Sequence, residues 1–153
     1  RAVRFGGEHD PLDERGRRDV VGLGPVPGPL LAGPELSVRQ TTDLLVTRIG
    51  AEQLGWVRDD PQLASLDVGR WRGCRPEDVD PTALGRFFLD PDACPHGGET
   101  LRTFVDRIRG HVAALPPEVS LVVAGPVAQA VLCESVDTFF AAAVRPASVR
   151  FRS

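Results

Sequence analysis

The stretch GPLLAGPELSVRQTTDLLVTRIG, residues 28–50, decides the fold. Its opening, Leu30-Leu31-Ala32, is a short apolar run bracketed by Gly and Pro, which marks a buried strand. From Glu35 to Ile49 the chain reads as a helix, and Gly50 supplies the stop. A second strand-to-helix passage follows later. VSLVVAG, residues 119–125, is a continuous apolar run ending in Gly, the pattern of a central strand buried on both faces. PVAQAVLCESV then reads as a helix with Pro126 at its start.

Working outward, residues 1–5 read as a strand and residues 12–23 as a helix entered after Pro11. GWVRDD, residues 55–60, supplies another short strand, residues 60–80 are irregular, and 81–90 form a helix opened by Pro81. Leu101, Phe104, Val105, Ile108, Val112 and Leu115 give the strongest helical periodicity, with Arg102, Asp106, Arg107 and Arg109 off that stripe. ASVRFRS, residues 147–153, alternates like a closing strand. Strands alternating with helices predict an α/β fold: a three-layer sandwich, mainly parallel, helices on both faces, one domain over residues 1–153. In such sheets ligands sit beyond the C-terminal ends of strands. Those ends are Arg4-Phe5-Gly6 and Ala124-Gly125-Pro126.

Composition narrows the function classes. All 18 basic residues are Arg, and the net charge of −3 argues against a nucleic-acid partner. Cys74, Cys94 and Cys133 form no C-x-x-C pair, so neither a disulfide framework nor a zinc site is expected, and a reducing cytoplasm is the default compartment. No apolar run approaches the ~18 residues of a membrane span. His9, His96 and His111 are too scattered for a metal motif, and no cofactor is implied.

Five motifs, in order, resemble those of the histidine phosphatase superfamily, the phosphoglycerate-mutase-like proteins. PLDERGRRDVVGLG resembles the family's PLTERGRRQA-type helix; GPELSVRQTTDLL resembles SP-x-x-R-x-x-QTA-x-x-L. LASLDVGRWRG resembles L-x-E-x-D-x-G-x-W-x-G, and PHGGETLRTFVDRI resembles P-x-GES-x-x-x-x-x-x-R. LVVAGPVAQAVL resembles the VVSHGGVIRALL strand-turn-helix. The resemblance implies the same sandwich fold and a phosphohistidine chemistry built on an Arg-His-Gly triplet, a second His, two Arg and a carboxylate acid.

Carried over residue by residue, Arg4 and Gly6 match the triplet, and Arg39 matches the second Arg. Phe5 falls at the nucleophilic His, Gly125 at the second His, and Ser65 where the acid Glu is often found. Phenylalanine offers no lone pair to phosphorus, so the phosphatase chemistry is expected to be lost. Arg4 and Arg39 are expected to keep a pocket for a small anion, phosphate or carboxylate, with Gly6 and Glu99 beside it. Glu99 orients arginines there or charges the start of its helix. His9, Glu8 and Asp67 are the candidates for proton transfer, against plainer roles as a solvated loop histidine and loop-structuring acids. His96 is expected at the surface, His111 as a structural helix residue, and Trp71 at a core edge. Two functions follow: a pseudophosphatase or small-anion binding module, or a repurposed lyase, isomerase or cyclase acting on a small anionic metabolite in a biosynthetic pathway.

Overall fold

The computed structural model describes residues 3–150 and is organised about one short strand, β1 (Leu30–Ala32). On one side β1 pairs with β2 (Val57–Asp59) and on the other with β3 (Ser120–Val122), both parallel, in the order β2-β1-β3. Leu30 lies opposite Val57 and Ser120, and Ala32 opposite Asp59 and Val122. The central strand is buried along its whole length, whereas β3 is half-buried throughout. The expected order is thereby corrected. Among the described residues the apolar run at 119–125 forms an edge, because there β1 alone has a neighbour on each side.

The two crossovers run in opposite directions. β1 reaches β2 through α2 (Leu36–Ile49) and the single turn α3 (Ala51–Leu54). β2 returns past β1 to β3 through α4 (Pro81–Leu89) and α5 (Leu101–Ala113). Right-handed crossovers in opposite directions put their helices on opposite faces of a sheet. Strand alternation agrees: Leu31 joins the core of α5 and α6 (Gly125–Leu132), while Leu30 and Ala32 point to the other face. There α2 turns Val38, Thr42 and Leu45 inward. The result is the α/β sandwich that the sequence predicts.

The core on the α5 face gathers Leu63, Leu101, Phe104, Val105, Ile108, Val119, Val127 and Phe139. Local chemistry fixes the helix that carries most of it. Thr100 caps α5 by accepting from the Thr103 N–H at 3.0 Å, satisfying one of the free donors of the first turn. Arg109, off the apolar stripe, donates to the carbonyls of Ala130 and Cys133, which ties α5 to the end of α6. A half-buried hydrogen-bonded contact fastens the other end of the helix to the sheet. His111 Nε2 lies 2.6 Å from Asp60 Oδ2, and the Asp60 N–H donates to Ala32 O at 2.8 Å. The structural role expected of His111 is thus given a partner.

Two strands of the sequence reading are absent from the described residues. Residues 3–5 are not a strand: the Phe5 N–H donates to Cys74 O and its carbonyl accepts from Gly73 N–H, so this segment pairs with a loop. Residues 147–150 form a turn and irregular chain. Residues 1–2 and 151–153 of those two expectations lie outside the described residues. The irregular stretch at 60–80 contains three short 3-10 turns, Pro61–Leu63, Gly69–Trp71 and Pro76–Asp78.

Ile108 is fully buried in this core, so Ile108→Ala is expected to cost about 2–5 kcal/mol in urea unfolding. A loss under about 1 kcal/mol would show that α5 does not carry the core.

Candidate functional site

Beyond the C-terminal end of β1, three loops converge. They are residues 5–8, 63–74 and 94–99, and backbone contact joins the last two. The Arg70 N–H donates to His96 O at 2.9 Å, and the Glu99 N–H donates to Asp67 O at 3.0 Å. This approach excludes side chains. A Cβ on Gly69 would stand 2.2 Å from His96 O, and one on Gly98 would stand 2.1 Å from Asp67 O. Both neighbours are backbone atoms, so glycine is required at each position.

Side chains reinforce the clamp. Glu99 accepts the Asp67 N–H through Oε1 at 3.1 Å and also pairs with Arg107, at 2.8 and 3.2 Å, in a two-pronged arrangement. Arg107 reaches on to the carbonyls of Gln62 and Ala64, both at 3.1 Å, so one guanidinium staples the 62–64 turn to the start of α5. The two alternatives for Glu99 resolve: Thr100 caps the helix, and Glu99 holds an arginine. Arg72 is held at 2.8 Å by Glu8 and at 3.3 Å by Asp67. Asp67 also closes its own turn by accepting from the Gly69 N–H at 2.9 Å.

The floor of the clamp is aromatic. The Phe5 ring lies 5.1 Å from Trp71 and 6.4 Å from Phe87, and Trp71 meets His96 at 5.2 Å. His96 is fully buried, in contrast to the surface position expected of a loop histidine. The reason is local: with Gly97 and Gly98 following it, the loop turns tightly enough to press the ring against Trp71 and Phe87. Its Nδ1 accepts the Gly98 N–H at 3.0 Å, which requires the lone pair there, while Nε2 is buried without a partner. Burial pushes the imidazole below its ordinary pKa; Asp67 and Glu99 oppose that shift, and Arg70 adds to it.

Sequence reasoning did not find Glu35. It is buried at the start of α2, one residue beyond Gly33-Pro34. Its Oε1 accepts the Ser65 N–H at 2.7 Å, and its Oε2 is buried with no partner. A Cβ on Gly33 would lie 2.8 Å from that oxygen. A single Glu in a helix-starting segment carries no local signal of such burial; the carboxylate is drawn in by the fold of the 63–65 loop. Arg72 and Arg107 were equally unmarked, one in a loop motif and one on the solvent side of a helical stripe.

The remaining predicted residues divide. Glu8, Asp67 and Glu99 are brought to the clamp, with Phe5, Gly6 and Ser65 beside them; a Cβ on Gly6 would touch Arg72 Cγ at 3.0 Å. Arg4, His9, Arg39 and Gly125 are exposed. Arg4 donates to Gly73 O at 3.0 Å, whereas Arg39 has no ion pair among the described residues, so the two guanidinium groups share no partner. The described hydrogen bonds and ion pairs do not bring Arg4 and Arg39 together. Helical geometry explains it: counted from Gly33-Pro34, the SP-x-x-R spacing ends on Ser37, and Arg39 lies two residues, about 200°, further round α2. Val38, Thr42 and Leu45 face inward, and Arg39 and Asp43 face solvent. Gly125 opens α6, where an added Cβ meets nothing within 4 Å.

Among the described residues no group of three or more His, Cys, Asp or Glu is placed to hold a metal ion, and no helix is long and apolar enough to cross a membrane. No protein-family model and no curated protein matches the chain. Solved structures do. A mycobacterial glucosyl-3-phosphoglycerate phosphatase is similar at a TM-score of 0.71 and 27% identity, over 90% of this chain and 76% of that one. The same mycobacterial phosphatase with inorganic phosphate gives 0.68 and 26%, over 92% and 79%. A phosphoglycerate mutase of Thermus thermophilus gives 0.66 and 26%, over 84% and 72%. These matches place the fold of the chain with that of the histidine phosphatase superfamily. Within this histidine phosphatase fold, the clamp stands at the C-terminal end of the central strand, where open α/β sheets hold their ligands.

Two outcomes follow from the clamp. Gly98→Ala is expected to lower stability by at least about 2 kcal/mol, since backbone must shift to admit the Cβ; unchanged thermal unfolding would contradict the close approach. His96 is neutral in the fold and charges more readily when unfolded. Its contribution is therefore complete above its ordinary pKa of about 6.5 and declines as pH falls below it. The urea midpoint should drop between pH 7 and pH 5, and His96→Gln, which keeps an acceptor for Gly98, should flatten that drop. An equal slope in the variant would assign the acid sensitivity elsewhere.

Proposed function

We propose that this chain is a phosphoglycerate-mutase-like protein that has lost phosphohistidine chemistry and acts as a pseudophosphatase, a non-catalytic binding module. One observation carries it. Phe5, at the position the resemblance gives to the nucleophilic His, is packed edge and face into Trp71 and Phe87. A ring built into an aromatic floor neither attacks phosphorus nor leaves room for a group that does. Loss of the nucleophile alone is worth on the order of a million-fold in turnover.

The arginines support the same reading. Phosphoryl transfer needs guanidinium groups free to meet developing charge. Here Arg72 is neutralised by Glu8 and Asp67, and Arg107 by Glu99. The mycobacterial relative takes inorganic phosphate. At Arg72 or Arg107 a free phosphate or small carboxylate must displace an internal carboxylate. Glu35 favours a second reading, the repurposed enzyme. Its Oε2 is a buried carboxylate oxygen without a partner, beside the Oε1 that accepts the Ser65 N–H, and such a group is a candidate for proton transfer.

Turnover of p-nitrophenyl phosphate should be indistinguishable from buffer, and no acid-labile phosphoenzyme should form. Trapping a phosphohistidine would overturn the reading. The double variant Phe5→His, Gly125→His should also stay inactive, because residue 5 pairs with the 73–74 turn and a side chain at 125 stands alone in solvent. Turnover of a small carboxylate metabolite that is abolished by Glu35→Gln would establish the second reading in place of the first.

A further inference from the structure

Phe88 and Phe140 lie with ring centroids 4.9 Å apart, 48% and 42% exposed. Among the described residues they are the one ring-to-ring contact between two exposed aromatic side chains. Leu89, 87% exposed, follows Phe88 as the last residue of α4. These rings are not loose. Phe87 backs both, at 5.4 and 5.7 Å, and Phe139 meets Phe140 at 5.0 Å, so the patch is continuous with the aromatic floor of the clamp and with the main core. Rigid aromatic anchors lose little entropy on association, which is why they dominate binding surfaces. A contiguous exposed apolar patch of this kind marks an interaction site.

The rim says what kind of partner. Asp137 sits three residues before Phe140 in the 3-10 segment Val136–Ala141, on the same side of it. Asp90 follows Leu89, and Asp106 lies on α5 one turn after Arg102, on which it and Asp137 both act. None of the three carboxylates has an ion pair among the described residues. Asp92 is paired with Arg102 at 2.7 Å, and Arg86 lies on α4 two residues before Phe88. The Arg102 guanidinium is held above its ordinary pKa first by its hydrogen bond to Asp92 and then by that carboxylate's charge; Asp137 and Asp106 add to the same field. The rim is therefore net acidic around an apolar centre.

We propose that the Phe88–Leu89–Phe140 patch is a docking surface for a basic amphipathic segment of a partner protein, apolar residues on the rings and Arg or Lys against Asp90, Asp106 and Asp137. This deepens the non-catalytic reading and rests on it: a fold whose chemistry is gone is kept for what it binds. The complementarity decides between occupants. An anionic lipid surface is repelled by this rim, and a second copy would set one acidic rim against another.

The test uses the whole chain against a phage-displayed library of random peptides about 15 residues long, roughly four helical turns. Enriched peptides should carry Leu, Phe or Trp at helical spacing with Arg or Lys between, and their affinity should fall as salt is raised. Phe88→Ser with Phe140→Ser should weaken them by at least about tenfold. Asp137→Lys, an exposed change that leaves the packing intact, should weaken basic peptides severalfold and reduce the salt dependence. Failure to enrich basic amphipathic peptides overturns the proposal, as does equal binding to Asp137→Lys. It is also overturned if the chain self-associates in sedimentation, or floats with phosphatidylcholine vesicles, in a manner abolished by Phe140→Ser. Phosphatase turnover measured in parallel reports separately on the non-catalytic reading.

Discussion

Three residues, Leu30-Leu31-Ala32, hold the molecule together because, among the described residues, β1 alone has a strand on each side. Its amides and carbonyls are engaged by β2 and β3, and its side chains alternate between two helical layers. A strand so short satisfies few hydrogen bonds, so its position depends on the apolar contacts above and below it. Leu31 locks it to the α5 core; Leu30 and Ala32 turn to the α2 face. What leaves its C-terminal end, Gly33-Pro34-Glu35, is therefore placed with the same firmness as the core itself.

From that end the site is assembled by backbone proximity rather than by reactive side chains. Gly69 and Gly98 let two loops touch main chain to main chain, and Glu99, Arg107, Asp67, Arg72 and Glu8 close the surrounding electrostatics. Such a constellation is suited to rigidity. Arg72 and Arg107 each have a counter-ion within the protein. Under the clamp, Phe5, Trp71, Phe87 and His96 form an apolar floor where His96 remains neutral. Only Glu35 Oε2 and His96 Nε2 are buried side-chain polar atoms without a partner among the described residues.

The aromatic floor does not stop at the clamp. Phe87 passes contacts outward to Phe88 and Phe140, and Phe139 passes them inward to Phe104. One continuous set of rings thus links the clamp, the main core and an exposed patch. A binding function needs a rigid presented surface, and this ladder provides one without any contribution from reactive chemistry.

Hydrophobic periodicity and helix-stop residues carried most of the fold in the sequence itself. α2 ends at Gly50, α4 opens at Pro81, and α5 follows its stripe from Leu101 to Val112, because these signals are local and short-ranged. Motif order likewise marked the superfamily, and Phe5 and Gly125 stood out by residue type alone. Tertiary structure decided the rest. Whether VSLVVAG is a central or an edge strand depends on what pairs with it, which an apolar run cannot state. That Arg39 faces solvent is a matter of helix register against β1, and that His96 is buried follows from glycines bringing a second loop across it. Glu35, Arg72 and Arg107 gained their roles from partners 30, 64 and 8 residues distant, respectively Ser65, Glu8 and Glu99. Long-range pairing of charge is set by the closed chain, and a linear pattern records only the residues available for it.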